Sequence, residues 1–218
     1  MLRGGADVDE LSSDLRCALE SLERSQVEKV LEAAIRIHSP LEVIEGLIMP
    51  ALEAVGEDWT AGKVALSQVY MSGRICEDLV GRLLPAVAQE RGSFPRCAIA
   101  VLCDYHLLGK RIVLSVLRAS GFNVLDYGRM EAPALVARVL ADQVDILLIS
   151  VLMLPAALKV REVRAGLDAL GSRTRIAVGG APFLFDPELW REVGADAMGR
   201  SAADGEAIVR RWAGEGAP

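Results

Sequence analysis

A histidine with a carboxylate two residues before it stands in the run Asp104-Tyr105-His106-Leu107-Leu108-Gly109. An imidazole on a loop can give one ring nitrogen to a metal. A nearby carboxylate can accept the other N–H, which fixes the tautomer and raises the ligand's basicity. Gly109 lets the backbone turn closely into a helix. One histidine does not make a metal site, and an aspartate and a histidine on a loop are also ordinary polar residues. Two other places carry small residues that would leave room for a ligand. Ser150-Val151-Leu152 is separated from Gly109 by 40 residues, and Gly179-Gly180-Ala181-Pro182 from Leu152 by 26. Glycine pairs are common in turns, so each place is weak alone. The signal is the order of all three.

The elements that position them are short β-rich runs alternating with helical patterns. Strands are expected at Cys97–Leu102, Asn123–Asp126, Val144–Ser150, Arg175–Val178 and Ala195–Ala197, with helices over 109–120, 132–142, 156–170, 187–193 and 202–213. Val144–Ser150 is apolar on both faces, as strands inside parallel sheets are. Five strands with intervening helices predict a doubly wound parallel α/β sheet of the flavodoxin or Rossmann kind. Such sheets take ligands beyond the carboxyl ends of their strands, and all three motif elements fall there.

Residues 1–90 read differently. Apolar residues recur three to four apart, predicting helices over 10–22, 25–37, 40–57 and 65–90, a four-helix bundle. Pro40 suits a helix start and Gly62 the turn before the last helix. Arg91-Gly92-Ser93-Phe94-Pro95 reads as a linker, leaving 96–218 as the α/β domain.

The 218 residues hold 52% hydrophobic and 25% charged side chains, enough for a genuine core. A net charge of −6 argues against coating nucleic acid, and no direct nucleic-acid binding is expected. No apolar run reaches a membrane span and Met1–Glu10 is no secretory signal, so no membrane partner is expected. Cys17, Cys76, Cys97 and Cys103 lack paired spacing, and a reducing cytoplasm is the expected location. The basic cluster Arg161, Arg164, Arg173 and Arg175 reads as a solvated face.

Asp104, His106, Gly109, Ser150, Leu152, Gly179 and Gly180 in this order resemble the cobalamin-binding domain of methionine synthase, corrinoid methyl carriers and some mutases. Val55-Gly56-Glu57-Asp58-Trp59-Thr60-Ala61-Gly62-Lys63 resembles the turn in the helical cap that precedes that domain in methyl carriers. The resemblance implies that His106 replaces the cofactor's own base as the lower ligand of cobalt, with Asp104 behind it. It also implies that the nucleotide tail enters a channel lined by Ser150, Leu152, Gly179 and Gly180, and that the helical cap shields the upper face. Tyr105, Leu107, Val151, Leu154 and Ala181 would line the same site. Trp59 reads either as a packing anchor or as a contact to the upper ligand, and Tyr70 is the second such residue on the cap.

Some positions depart from the methyl-carrier pattern. Cys103 replaces a usual glycine, Leu107 a frequent aspartate, and Leu154 and Ala156 the hydroxyl residues of methionine synthase-like members. The hydrogen-bond relay should therefore stop at Asp104. Two functions stay open. The first is a corrinoid methyl carrier serving separate methyltransferase chains. The second is a cobalamin-dependent light or redox sensor acting through signalling partners. Photosensing relatives carry Glu-His where this chain has Val69-Tyr70. A haem-binding variant is a further alternative, since His106 suits haem iron too. The upper ligand (methyl, hydroxo or adenosyl) is left open, and a homodimer is compatible with either role. A mutase barrel would need about 250 further residues.

Overall fold

A computed structural model describes residues 5–83 and 95–215. The chain divides into two compact units, Met1–Pro85 and Ala86–Pro218. Most of the expected linker, 91–94, lies outside the described residues, as do residues 84–90 of the expected last cap helix.

The first unit contains α1 (Gly5–Glu20), α2 (Arg24–Ile35), α3 (Pro40–Val43), α4 (Met49–Thr60) and α5 (Leu66–Leu83). Ser39 and Glu42 form a capping box at the start of α3, with Pro40 in the first turn as expected. A wide π-helical turn, Ile44–Ile48, joins α3 to α4 without a break. Pro50 follows at once; it has no amide to give to the preceding turn, and the wide turn absorbs that loss. Leu15, Leu19, Leu31, Ile44, Leu47 and Val55 fill the interior. At the end of α4 the buried Asp58 carboxylate accepts from Lys63 Nζ at 2.8 Å and from the Arg16 guanidinium. Gly62 makes the turn between them with φ +74°. This ion-paired turn presents Trp59.

The second unit is a five-stranded parallel sheet: β1 (Cys97–Leu102), β2 (Val124–Met130), β3 (Ile146–Ser150), β4 (Arg175–Gly179) and β5 (Ala197–Gly199), in the order β2-β1-β3-β4-β5. Alternate residues supply two apolar layers. Ala98, Ala100, Leu147 and Ile149 pack with α7 (Ala132–Ala141) and α9 (Val160–Ala169). Ile99, Ile146, Leu148 and Ala177 pack with α6 (Leu108–Ala119) and α12 (Ala202–Glu215). The doubly wound sheet is therefore present.

Several boundaries differ from expectation. β2 runs on to Met130, because an edge strand carrying Asp126, Gly128 and Arg129 hides its pattern. The helix expected over 156–170 is two: α8 (Leu154–Leu158) and α9, parted at Lys159. A short α10 (Ala181–Phe185) follows Gly180, where the sequence reads only as a turn, and α11 is Leu189–Glu192. Arg164 is not simply solvated: its Nε donates to the Gly194 carbonyl at 2.9 Å and its Nη2 to Asp196 at 2.5 Å. Among the described residues no helix is long and apolar enough to cross a membrane.

Candidate cofactor site

The site is built on the carboxyl edge of the sheet. β1 is buried along its whole length, and the chain leaves it through Cys103 with a left-handed φ of +50°. Asp104 then turns back under the edge and is 3% exposed. Its Oδ1 accepts the amides of Tyr105 at 2.7 Å and His106 at 3.2 Å. Its Oδ2 accepts the amides of Leu152 at 2.8 Å and Met153 at 3.0 Å, just beyond β3. The remaining contact is to the imidazole: His106 Nδ1 lies 2.6 Å from Oδ1.

Burial alone would raise the Asp104 pKa. The His106 contact and the amides of Leu152, Met153 and Tyr105 outweigh it and hold the carboxyl down at about 2. An ionised carboxylate only accepts, so Nδ1 is the donor, and in the neutral imidazole Nε2 is the nitrogen with the lone pair. His106 is about one-third exposed along its side chain. The arrangement is an imidazole held by an anion that is itself fixed by four backbone amides, a side chain that could serve as a metal donor. Apart from His106, the groups that meet Asp104 are backbone amides.

The other motif residues meet this loop along one row. In register, Val101 pairs with Ser150, Ser150 with Gly179 and Gly179 with Gly199. A β-carbon on Gly109 would lie 3.3 Å from Ser150 Oγ, so glycine lets α6 begin directly against β3. A β-carbon on Gly179 would lie 3.2 Å from the Gly199 carbonyl oxygen, and Gly180 has φ +123°. Asp104, His106, Gly109, Ser150, Val151, Gly179, Gly180 and Ala181 thus share one edge.

Tyr105, Leu152 and Leu154 are exposed there, and Leu107 closes the loop. Tyr105 carries the Arg129 guanidinium 4.2 Å from its ring centre. Trp59 and Tyr70 lie on the helical unit. Trp59 is 47% exposed.

Sequence reasoning missed several participants. The Leu152 and Met153 amides carry no sequence signal. Gly199 could have been found by the same strand-end logic that marked Gly179. Met153, Leu158, Leu184 and Phe185 were not anticipated as exposed apolar groups, yet they follow β3 and β4 on this edge. An open cavity lined by Asp145, Arg175 and Trp212 lies at the amino ends of β3 and β4 and includes none of these residues.

Among the described residues no group of three or more His, Cys, Asp or Glu could hold a bare metal ion. A metal held by His106 alone would bring its other ligands, as one inside a macrocycle does. The exposed apolar side chains around His106 suit the face of such a ring, and Gly179 keeps the strand-end row beside it free of a side chain. The residues present fit the group.

Fold and site together define a doubly wound domain that offers one histidine at its carboxyl edge. The chain belongs to the B12-binding family: the B12 binding domain matches residues 97–209, and a second B12 binding domain matches residues 11–84. Solved structures share the fold. The monomethylamine corrinoid protein of Methanosarcina barkeri is 24% identical over 94% of this chain and 99% of that one, with a TM-score of 0.81. A cobalamin-binding protein from Desulfitobacterium hafniense DCB-2 is 25% identical over 94% and 98%, with a TM-score of 0.50. The methanol:cobalamin methyltransferase complex MtaBC from Methanosarcina barkeri is 25% identical over 94% and 80%, also at 0.50.

Proposed function

We propose that this chain is a corrinoid methyl carrier in which His106 Nε2 is the lower ligand of cobalt, working with separate methyltransferase chains. The observation that carries the reading is the 2.6 Å contact between His106 Nδ1 and Asp104, whose carboxylate is locked to the end of β3. When bound, cobalamin supplies a cobalt centre that accepts and releases a methyl group. Asp104 keeps the proton on Nδ1 and the imidazole aimed; Leu152, Met153 and Leu154 keep water from that side. Ser150 and Gly179 leave the space for the tail, and Gly180 shapes the turn beside them. On the helical unit Trp59 and Tyr70 are the residues offered to the cofactor, a reading their exposure supports.

The test is the absorption spectrum of the full chain loaded with methylcobalamin. Wild type should show histidine coordination, and His106→Ala should lose it. An unchanged spectrum would remove His106 from this role, and uptake of haem in preference to cobalamin would replace the cofactor.

The end of the relay at Asp104 favours a second reading, a cobalamin-dependent sensor, because a sensor has less need to move a proton during a cycle. Methylation of the loaded protein by a methyltransferase supports the carrier. Loss of the upper ligand under green light, without methylation, supports the sensor.

A further inference from the structure

Lys110 follows Gly109 in the first turn of α6, and its side chain is only 5% exposed. Its Nζ donates to Asp126 Oδ1 on β2. The placement is unfavourable twice over. An ammonium loses strong hydration on burial, and the first turn of a helix repels a cation. Apolar residues can replace a buried ion pair at little or no cost, so stability alone is a weak reason for it.

The geometry shows what the pair holds. Asp126 Oδ1 also accepts the Gly128 amide at 2.8 Å. Gly128 has φ +63° and lies where the β1–β2 register shifts between Ile99 and Val101. Lys110 therefore ties the start of α6 to an irregular point of β2. One residue earlier, Gly109 sets the same turn against Ser150 of β3. The turn is clamped on both sides, and the loop carrying His106 runs from the end of β1 straight into it.

We propose that the Lys110–Asp126 pair is a positioning device for His106: by fixing the first turn of α6 it holds the loop in the conformation that presents the imidazole to cobalt. The proposal rests on the reading of His106 as lower ligand. Both residues act through the loop.

The test uses the full chain as wild type, Lys110→Met, Asp126→Asn and His106→Ala. Without cofactor, amide hydrogen exchange at Tyr105 and His106 should quicken about tenfold in Lys110→Met and Asp126→Asn, with Leu148 and Ile149 unchanged. With methylcobalamin at neutral pH, histidine coordination should weaken about tenfold in both, the lower end of what losing an outer partner of a metal ligand costs. Unchanged exchange and spectra, with only a lower melting temperature, would overturn the proposal and leave the pair to the fold. If Lys110→Met does not fold, Asp126→Asn carries the test, since it keeps the shape of a partly exposed side chain. A wild-type spectrum without histidine coordination, matched by His106→Ala, would instead overturn the His106 reading and this proposal with it.

Discussion

A β-carbon built on Gly180 would stand 1.7 Å from the carbonyl oxygen of Val151, so the chain leaving β4 passes directly against the chain leaving β3. That contact separates two glycines whose sequence roles look alike. Gly180 has φ +123° and no space at all, which makes it a requirement of the fold. Gly180→Ala should cost on the order of 4 kcal/mol, from backbone strain and collision together. Urea unfolding would measure it, and a loss under about 1 kcal/mol would show that the turn can relax.

Gly179 is the better probe of the channel. Its β-carbon would meet only the Gly199 carbonyl, at 3.2 Å, so Gly179→Ala should leave the sheet folded after a small shift. If the nucleotide tail passes here, the variant should bind complete cobalamin less well while its affinity for a tail-less corrinoid stays near wild type. Titrations with both ligands decide. Equal losses would return the glycine to packing.

Asp104 gives a pH dependence with a definite sign. Its carboxyl is held at about 2 against an ordinary value of 3.8. A group depressed in the folded state adds stability that is fully present above the unfolded value and is lost as pH falls through the folded one. The contribution should be about 1–2 kcal/mol after allowance for solvent at the rim, falling away between pH 4 and 2. Asp104→Asn should be less stable than wild type at pH 6, with the difference closing towards pH 2. Parallel curves across that range would refute the assignment.

The strands were legible where burial on both faces writes a continuous apolar run, as in Cys97–Leu102 and Ile146–Ser150. They were less legible at the edge, where β2 carries Asp126 and Arg129 and the register shift breaks its alternation. That His106, Asp104 and the strand-end glycines meet at one edge was readable because residue types and their spacing carry it. What fixes Asp104 is not of that kind, since four backbone amides have no letter in the sequence. Short helices such as Ala181–Phe185 also escape periodicity, which needs more than five residues to show.

Cys103 stands where methyl carriers usually have glycine, and its backbone shows why glycine suits the position. With φ +50° it occupies a conformation that glycine adopts freely and other residues at a cost of about 1 kcal/mol. Cys103→Gly should therefore raise the thermal midpoint slightly, the gain being reduced by loss of the thiol contact to Glu131 at 3.1 Å. A clear fall in the midpoint would mean that the thiol contact outweighs the strain.

The same cysteine can report where the cofactor sits. Burial pushes the thiols of Cys76 and Cys97 up to about 12, with Asp145 adding to the effect at Cys97, so neither should alkylate in the folded chain at pH 8. Cys17 is exposed on α1 and should label first. Cys103 is partly exposed, and its thiol is raised by burial and by Glu131, so it should label slowly but measurably. It directly precedes Asp104, so cobalamin held at the carboxyl edge should slow Cys103 labelling further and leave Cys17 as an unchanged internal control. Peptide mass spectrometry of iodoacetamide-treated protein, with and without hydroxocobalamin, gives both rates at once. Equal Cys103 rates in the two samples would place the cofactor away from the edge that β1 and β3 build.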